Sequence, residues 1–166
     1  MASGRGNQLT KQVGEFLVAA ELARQHWLAA VLSGNTPDFD LIATNVEGQS
    51  VPVQVKAIKG QGWQFDVARF VEITFDGDRQ IVGRLKPCFA NLVCVLVVVG
   101  ETGGDRFFVL PMRTLQRLVV ANHRAWLKKC GGVRPKNPQS THCSVSIKDV
   151  EQYKDKWREI ERAVGR

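Results

Sequence analysis

The chain has 166 residues, 44% of them hydrophobic, and a formal net charge of +7 from 23 Lys and Arg against 16 Asp and Glu. That length and composition suit an ordinary globular chain with one domain, residues 1–166, and a single real core. No apolar run approaches the length needed to cross a bilayer, and no signal-type apolar core follows residues 1–6, so a cytoplasmic protein with no membrane partner is expected.

Residues 1–7 read as a flexible arm. A helix is predicted from Thr10, a capping residue type, to about Leu32. Val13, Phe16, Leu17, Ala20, Trp27 and Val31 make its main apolar stripe; Glu15, Val18, Ala19 and Leu22 make a second, smaller face. A helix apolar on two sides is expected to lie between the sheet and another layer or subunit, which makes a homodimer the expected assembly.

Ser33-Gly34-Asn35-Thr36-Pro37 is a turn by composition. Asp38, Phe39 and Asp40 then lead into an apolar run. Val51, Val53 and Val55 alternate with Pro52, Gln54 and Lys56, the period of a strand, so Gln54 and Lys56 share a face. Pairing outward from Gly48 puts Asp40 opposite Lys56 and Ile42 opposite Gln54. A carboxylate, an amide oxygen and an ammonium then converge on one side of two strands. Such a trio is costly in a purely structural sheet and useful for holding a divalent cation beside a phosphate. Asp40 is the preferred acid because it directly precedes the apolar run; Asp38 is the second choice.

Lys59, Gln61 and Gln64, with Trp63 and Phe65 among them, form a loop suited to contacting a nucleic-acid backbone and stacking on a base, or to closing the core. Asp66 caps a predicted short helix over residues 67–73. A turn at Asp76-Gly77-Asp78 precedes a strand over residues 80–85. The Val/Leu run of residues 91–99 reads as a central buried strand with residues 106–110 as its partner. A helix follows from Pro111 to about Lys129, buried through Leu115, Leu118, Val119 and Trp126. Arg113, Arg117, Arg124 and Lys128 form a basic ridge on it, suited to phosphate contact. Residues 131–141, with Arg134 and Lys136, read as a mobile loop. Residues 144–147 make an edge strand, and Asp149 with Gln152 resembles a capping box for a last helix to about Val164. Tyr153 and Trp157 fall on that helix's apolar stripe. The four cysteines are expected as free thiols. His123, Cys130, His142 and Cys143 are zinc-ligand types, but they lack the paired Cys-x-x-Cys spacing.

Asp40, followed on the next strand by Gln54-Val55-Lys56, resembles the PD-(D/E)XK nuclease superfamily in its variant with Gln at the second acidic position. The resemblance covers best the stretch from Gly14-Glu15 to about Phe70. It implies a restriction-endonuclease-like core, α/β with a mixed central sheet flanked by helices, which also suits the order of predicted elements. It implies Mg2+, or Mn2+ in its place, on Asp40, Gln54 and the Val55 carbonyl. Lys56 would hold the attacking water or the phosphate, and Glu15 would complete the catalytic set.

Acids and bases balance over residues 1–59, and bases exceed acids over residues 111–166. A basic lobe beside a neutral pocket fits a polyanion, and DNA is the expected partner, with RNA open. The expected activity is metal-dependent hydrolysis of DNA phosphodiesters in branched, repair or homing-type substrates. The alternative is a catalytically inactive nucleic-acid-binding protein on the same fold.

Overall fold

A computed structural model describes residues 4–33 and 38–165. The chain forms α1 (Gly4–Arg24), β1 (Leu28–Val31), β2 (Leu41–Thr44), β3 (Ser50–Ile58), β4 (Gly62–Asp66), β5 (Val71–Asp76), β6 (Arg79–Leu85), β7 (Val93–Val98), β8 (Arg106–Pro111), α2 (Met112–Lys129), β9 (His142–Ser146), α3 (Ile147–Val150) and α4 (Arg158–Ala163). A five-stranded sheet runs β1-β2-β3-β7-β8, with β3 and β7 parallel and the other pairs antiparallel. β4 pairs with β9, and β5 with β6, in two separate ribbons.

The sheet is mixed and covered on both faces, as expected. Val51, Val53 and Val55 of β3, with Val93, Val95 and Val97 of β7, pack against Val18 and Leu22 of α1 and Ile160 and Ala163 of α4. Cys94, Leu96 and Val98 face the other way, onto Leu115 and Val119 of α2 and Trp63 and Val145 of the β4–β9 ribbon. All six residues of β7 are buried, which is why its sequence is a continuous apolar run rather than an alternating one.

Several elements differ from expectation. α1 begins at Gly4 and ends at Arg24, so Thr10 is inside the helix, its hydroxyl donating to the Gly6 carbonyl at 2.9 Å. His26, at φ 64°, breaks the helix, and Trp27 and Val31 belong to the following turn and to β1. The buried side of α1 is the face predicted to be smaller, with Gly14, Val18 and Leu22; Val13 and Phe16 are exposed. The turn at residues 34–37 and the first three residues of the arm lie outside the described residues. Only Val67–Arg69 are helical after Asp66, whose carboxylate does accept from the Ala68 N–H at 3.0 Å. The last helix is broken into α3, a short turn and α4, and the capping box is Ser146 with Asp149. Trp126 is over a third exposed, and His123 and Leu127 take the buried side instead.

Hydrogen bonds join the 131–141 segment to the rest of the chain. The buried Gln80 amide donates to the carbonyls of Pro138 and Ser140, at 2.6 and 2.9 Å, and its oxygen meets the His123 ring at 2.9 Å. Arg134 donates to the carbonyls of Ser140 and His142 and lies 4.6 Å over the Trp126 ring.

Gly14 sets how closely α1 approaches the sheet. A Cβ there would lie 2.4 Å from the Ala57 Cβ. Gly14→Ala is therefore expected to destabilise the fold by about 1–3 kcal/mol, read as a lower urea midpoint at unchanged slope.

Candidate active site

The β2–β3 hairpin is shifted by two residues from the sequence expectation. Leu41 pairs with Val53 and Ile42 with Pro52, so the turn centres on Glu47, and beyond the ladder Asp40 bonds to the Val53 carbonyl rather than standing opposite Lys56. The even shift keeps Gln54 and Lys56 on one face, but Asp40 does not join them there: its carboxylate meets Lys11 of α1, and Asp38, the second choice, lines the cavity with Gln54 and Lys56 instead. Gln54 and Lys56 register with Cys94 and Leu96 of β7, and so face the α2 side of the sheet.

Asp40 sits just before β2, where the ladder ends. Its N–H donates to the Val53 carbonyl at 2.9 Å, and its Oδ2 accepts the Val55 N–H at 2.8 Å. A strand N–H points along the sheet, so the carboxylate lies near the sheet plane, beside the middle residue of Gln54-Val55-Lys56. Its Oδ1 is 3.3 Å from the Lys11 Nζ, which is 3.4 Å from the Glu15 Oε1. Lys11 and Glu15 are one helical turn apart on α1, the spacing at which side chains meet. Both carboxylates are nearly buried, with side-chain exposures of 13% for Asp40 and 14% for Glu15, while Lys11 is 55% exposed. Burial works to lower the Lys11 pKa, but the Asp40 carboxylate, and then Glu15, outweigh it and hold the ammonium above its ordinary value.

On the α2 side, Gln54 and Lys56 open into a cavity of about 620 Å³. Asp38, Gln64, Asp66 and Arg69 supply its other polar walls, and Phe70, Phe89, Leu92 and Met112 its apolar ones. Beneath it lies the Cys94 thiol. Burial pushes that thiol up to about 12, with Lys56 opposing and Asp40 assisting.

The structure thus brings Asp40, Glu15 and Val55 together, with Gln54 and Lys56 on the same strand facing the cavity. Among the described residues no three His, Cys, Asp or Glu side chains are gathered into a metal cluster. The donors available are two carboxylates, an amide oxygen and a backbone carbonyl. Two carboxylate oxygens already converge on one cation, the Lys11 ammonium, and an all-oxygen set fits a hard divalent ion. Lys11 was missed in the sequence; its i, i+4 spacing to Glu15 was the available signal.

The residues expected to meet nucleic acid are dispersed. Lys59 and Gln61 are exposed in the turn after β3, and Gln64 is exposed on β4 at the cavity. Trp63 and Phe65 are core residues, and the Trp63 indole donates to the Lys56 carbonyl at 2.9 Å. Arg113, Arg117, Arg124 and Lys128 are exposed on α2, Arg124 also donating to the Gly83 carbonyl. Lys136 is exposed, whereas Arg134 is spent on its own loop.

Against solved structures, the chain superposes on a bacterial homing endonuclease, I-Ssp6803I, with a TM-score of 0.54 over 93% of each chain at 15% identity. The two proteins share a fold. That fold is the α/β, restriction-endonuclease-like arrangement of a mixed sheet between helices. Hjc, a Holliday junction resolvase of Archaeoglobus fulgidus, aligns less well, with a TM-score of 0.44 at 14% identity over 86% of this chain and 88% of its own. No family model and no curated protein matches the sequence. No helix among the described residues is long and apolar enough to cross a membrane.

The packing beneath the cavity is testable through its thiols. At about pH 8, iodoacetamide is expected to modify the half-buried Cys88 and Cys130 and to spare Cys94 and Cys143, whose thiols burial holds protonated. Mass spectrometry of the intact fold reads the difference; labelling of Cys94 as fast as Cys88 would contradict the packing.

Proposed function

We propose that the protein is a divalent-metal-dependent endonuclease that hydrolyses DNA phosphodiester bonds. The observation that carries this reading is Asp40, which holds the Val55 N–H while sharing one cation with Glu15, at the root of Gln54 and Lys56. The shared fold with a homing endonuclease supports it.

In this reading Asp40, the Gln54 side-chain oxygen and the Val55 carbonyl would hold Mg2+ or Mn2+. Such an ion polarises a phosphate and lowers the pKa of a bound water. The chain's own groups do the rest. Lys56, half-buried at the cavity wall, orients the attacking water or offsets charge on the phosphate. Glu15 steers the water from the α1 side. The hydrogen bond from the Val55 N–H fixes the Asp40 rotamer, so the carboxylate needs no reorganisation when substrate arrives. The exposed bases of α2 contribute salt-sensitive phosphate contacts. Branched, repair and homing-type DNA are the substrate classes this reading favours.

One residue favours a second reading. Gln54 supplies no charge, and the positive Lys11 and Lys56 match the negative Asp40 and Glu15. A site so nearly neutral suits a DNA-binding protein without hydrolysis. Incubation with plasmid, single-stranded and branched DNA, with Mg2+ or Mn2+, separates the two. Cleavage is expected, with at least about a hundredfold loss in Lys56→Ala and Asp40→Asn. Asp40→Asn keeps an oxygen for the Val55 N–H and should stay folded; Asp40→Ala orphans that N–H and should also lose about 1–3 kcal/mol of stability. Salt-sensitive binding with no cleavage on any substrate would favour the second reading.

A homodimer belongs to the same proposal. Leu9, Val13 and Phe16, each over 40% exposed, form an apolar stripe on the outer side of α1. Phe16→Glu is expected to convert a dimer into a monomer by light scattering and to remove the concentration dependence of the thermal midpoint. A monomeric wild type would remove the dimer from the proposal.

A further inference from the structure

The α1 surface beside Glu15 has donors that the proposed chemistry does not use. Arg5, Gln8, Leu9, Lys11, Gln12 and Glu15 line an open recess of about 400 Å³. Arg5, Gln8, Lys11 and Gln12 are all exposed, and all can donate hydrogen bonds. Their spacing keeps them on one side of the helix. Two cations and two amides around an open recess match a phosphodiester oxygen cluster.

Lys11 belongs to this recess and to the carboxylate pair at once. Its ammonium neutralises Asp40 and Glu15, two nearly buried carboxylates that would otherwise repel each other. The carboxylates are fixed, Asp40 by its bond to the Val55 N–H. Lys11 is not fixed: it is more than half exposed on a long, flexible stem. A divalent cation drawn to the same oxygens has to displace the ammonium. The displaced ammonium stays at the α1 surface, and the recess, which Lys11 itself lines, is where its stem can deliver it to an anion.

We propose that Lys11 is a two-position cation. It bridges Asp40 and Glu15 in the free protein, and it moves into the α1 recess, beside Arg5, Gln8 and Gln12, to bind a DNA phosphate when a divalent cation takes its place. The inference rests on the metal-dependent reading above and adds a phosphate subsite to it. Its consequence is coupling: DNA removes the competitor of the metal, and the metal frees a ligand for DNA. By linkage the two effects are equal in size.

Calcium and a DNA duplex, checked intact by gel, are suitable probes, with calorimetry for the cation and fluorescence anisotropy for the duplex. Wild type is expected to bind Ca2+ about tenfold more tightly when saturated with duplex, and duplex more tightly by the same factor with Ca2+. Lys11→Met should bind Ca2+ more tightly than wild type without DNA, and its coupling should fall to about twofold or less. Arg5→Met should weaken duplex binding and keep the coupling. Coupling in Lys11→Met equal to that of wild type, or weaker Ca2+ binding by the DNA-free variant, overturns the inference and leaves the nuclease reading intact. A wild type that binds no Ca2+ with or without duplex overturns the metal reading, and this inference with it.

Discussion

A single hydrogen bond, from the Val55 N–H to the Asp40 carboxylate at 2.8 Å, determines where everything else at the site lies. It takes the place of a ladder bond at the point where β2 stops pairing. A side chain thereby completes the backbone of β3 and is itself locked at the sheet's end. Buried N–H groups need partners, so this contact serves the fold, and in the proposed reading it serves the chemistry as well. Glu15 reaches this point from the α1 side, and Gln54 and Lys56 leave it on the α2 side. The in-plane position of Asp40 puts its carboxylate between residues of the two faces.

The helix bearing Glu15 can reach the carboxylate only because Gly14 lets α1 lie against Ala57 and Val55. A close helix–strand approach, a capped strand end and two shielded carboxylates form one construction. Lys11 balances its charge. The neutral Gln54 fits the same economy, since a third carboxylate here would add repulsion that one ammonium cannot cancel.

Much of this was legible in the sequence. The alternation of Val51 to Lys56 gave β3 its two faces, and the unbroken apolar run gave β7 its central place, because those patterns report burial directly. That Gln54 and Lys56 share a face was readable from the strand period. The pairing was misjudged because Gly48, at φ 80°, is not the centre of its turn; Asn45 closes it by bonding to both Glu47 and Gln49. Even spacing kept Gln54 and Lys56 on one face through that error, but the Asp40 carboxylate turned to Lys11 on α1 instead of joining them. α1 was drawn too long because Trp27 and Val31 continue a helical stripe by accident of period, while the break at His26 depends on a backbone angle that no periodicity reveals. Trp63 and Phe65 could be assigned only from tertiary packing. Arg134 looked like a free base in a polar loop, and only the folded chain brings the carbonyls that occupy it.

The groups proposed for bond breaking all fall between Glu15 and Lys56, on α1, just before β2 and on β3. The far side of the neighbouring cavity is built by later stretches, from Gln64 through Met112 to His142. In the proposed reading, reactivity is written in the first third of the chain and much of the fit in later stretches. Substitutions along the later stretches can reshape what enters without disturbing the carboxylates, so a change of preference need not pass through an inert intermediate.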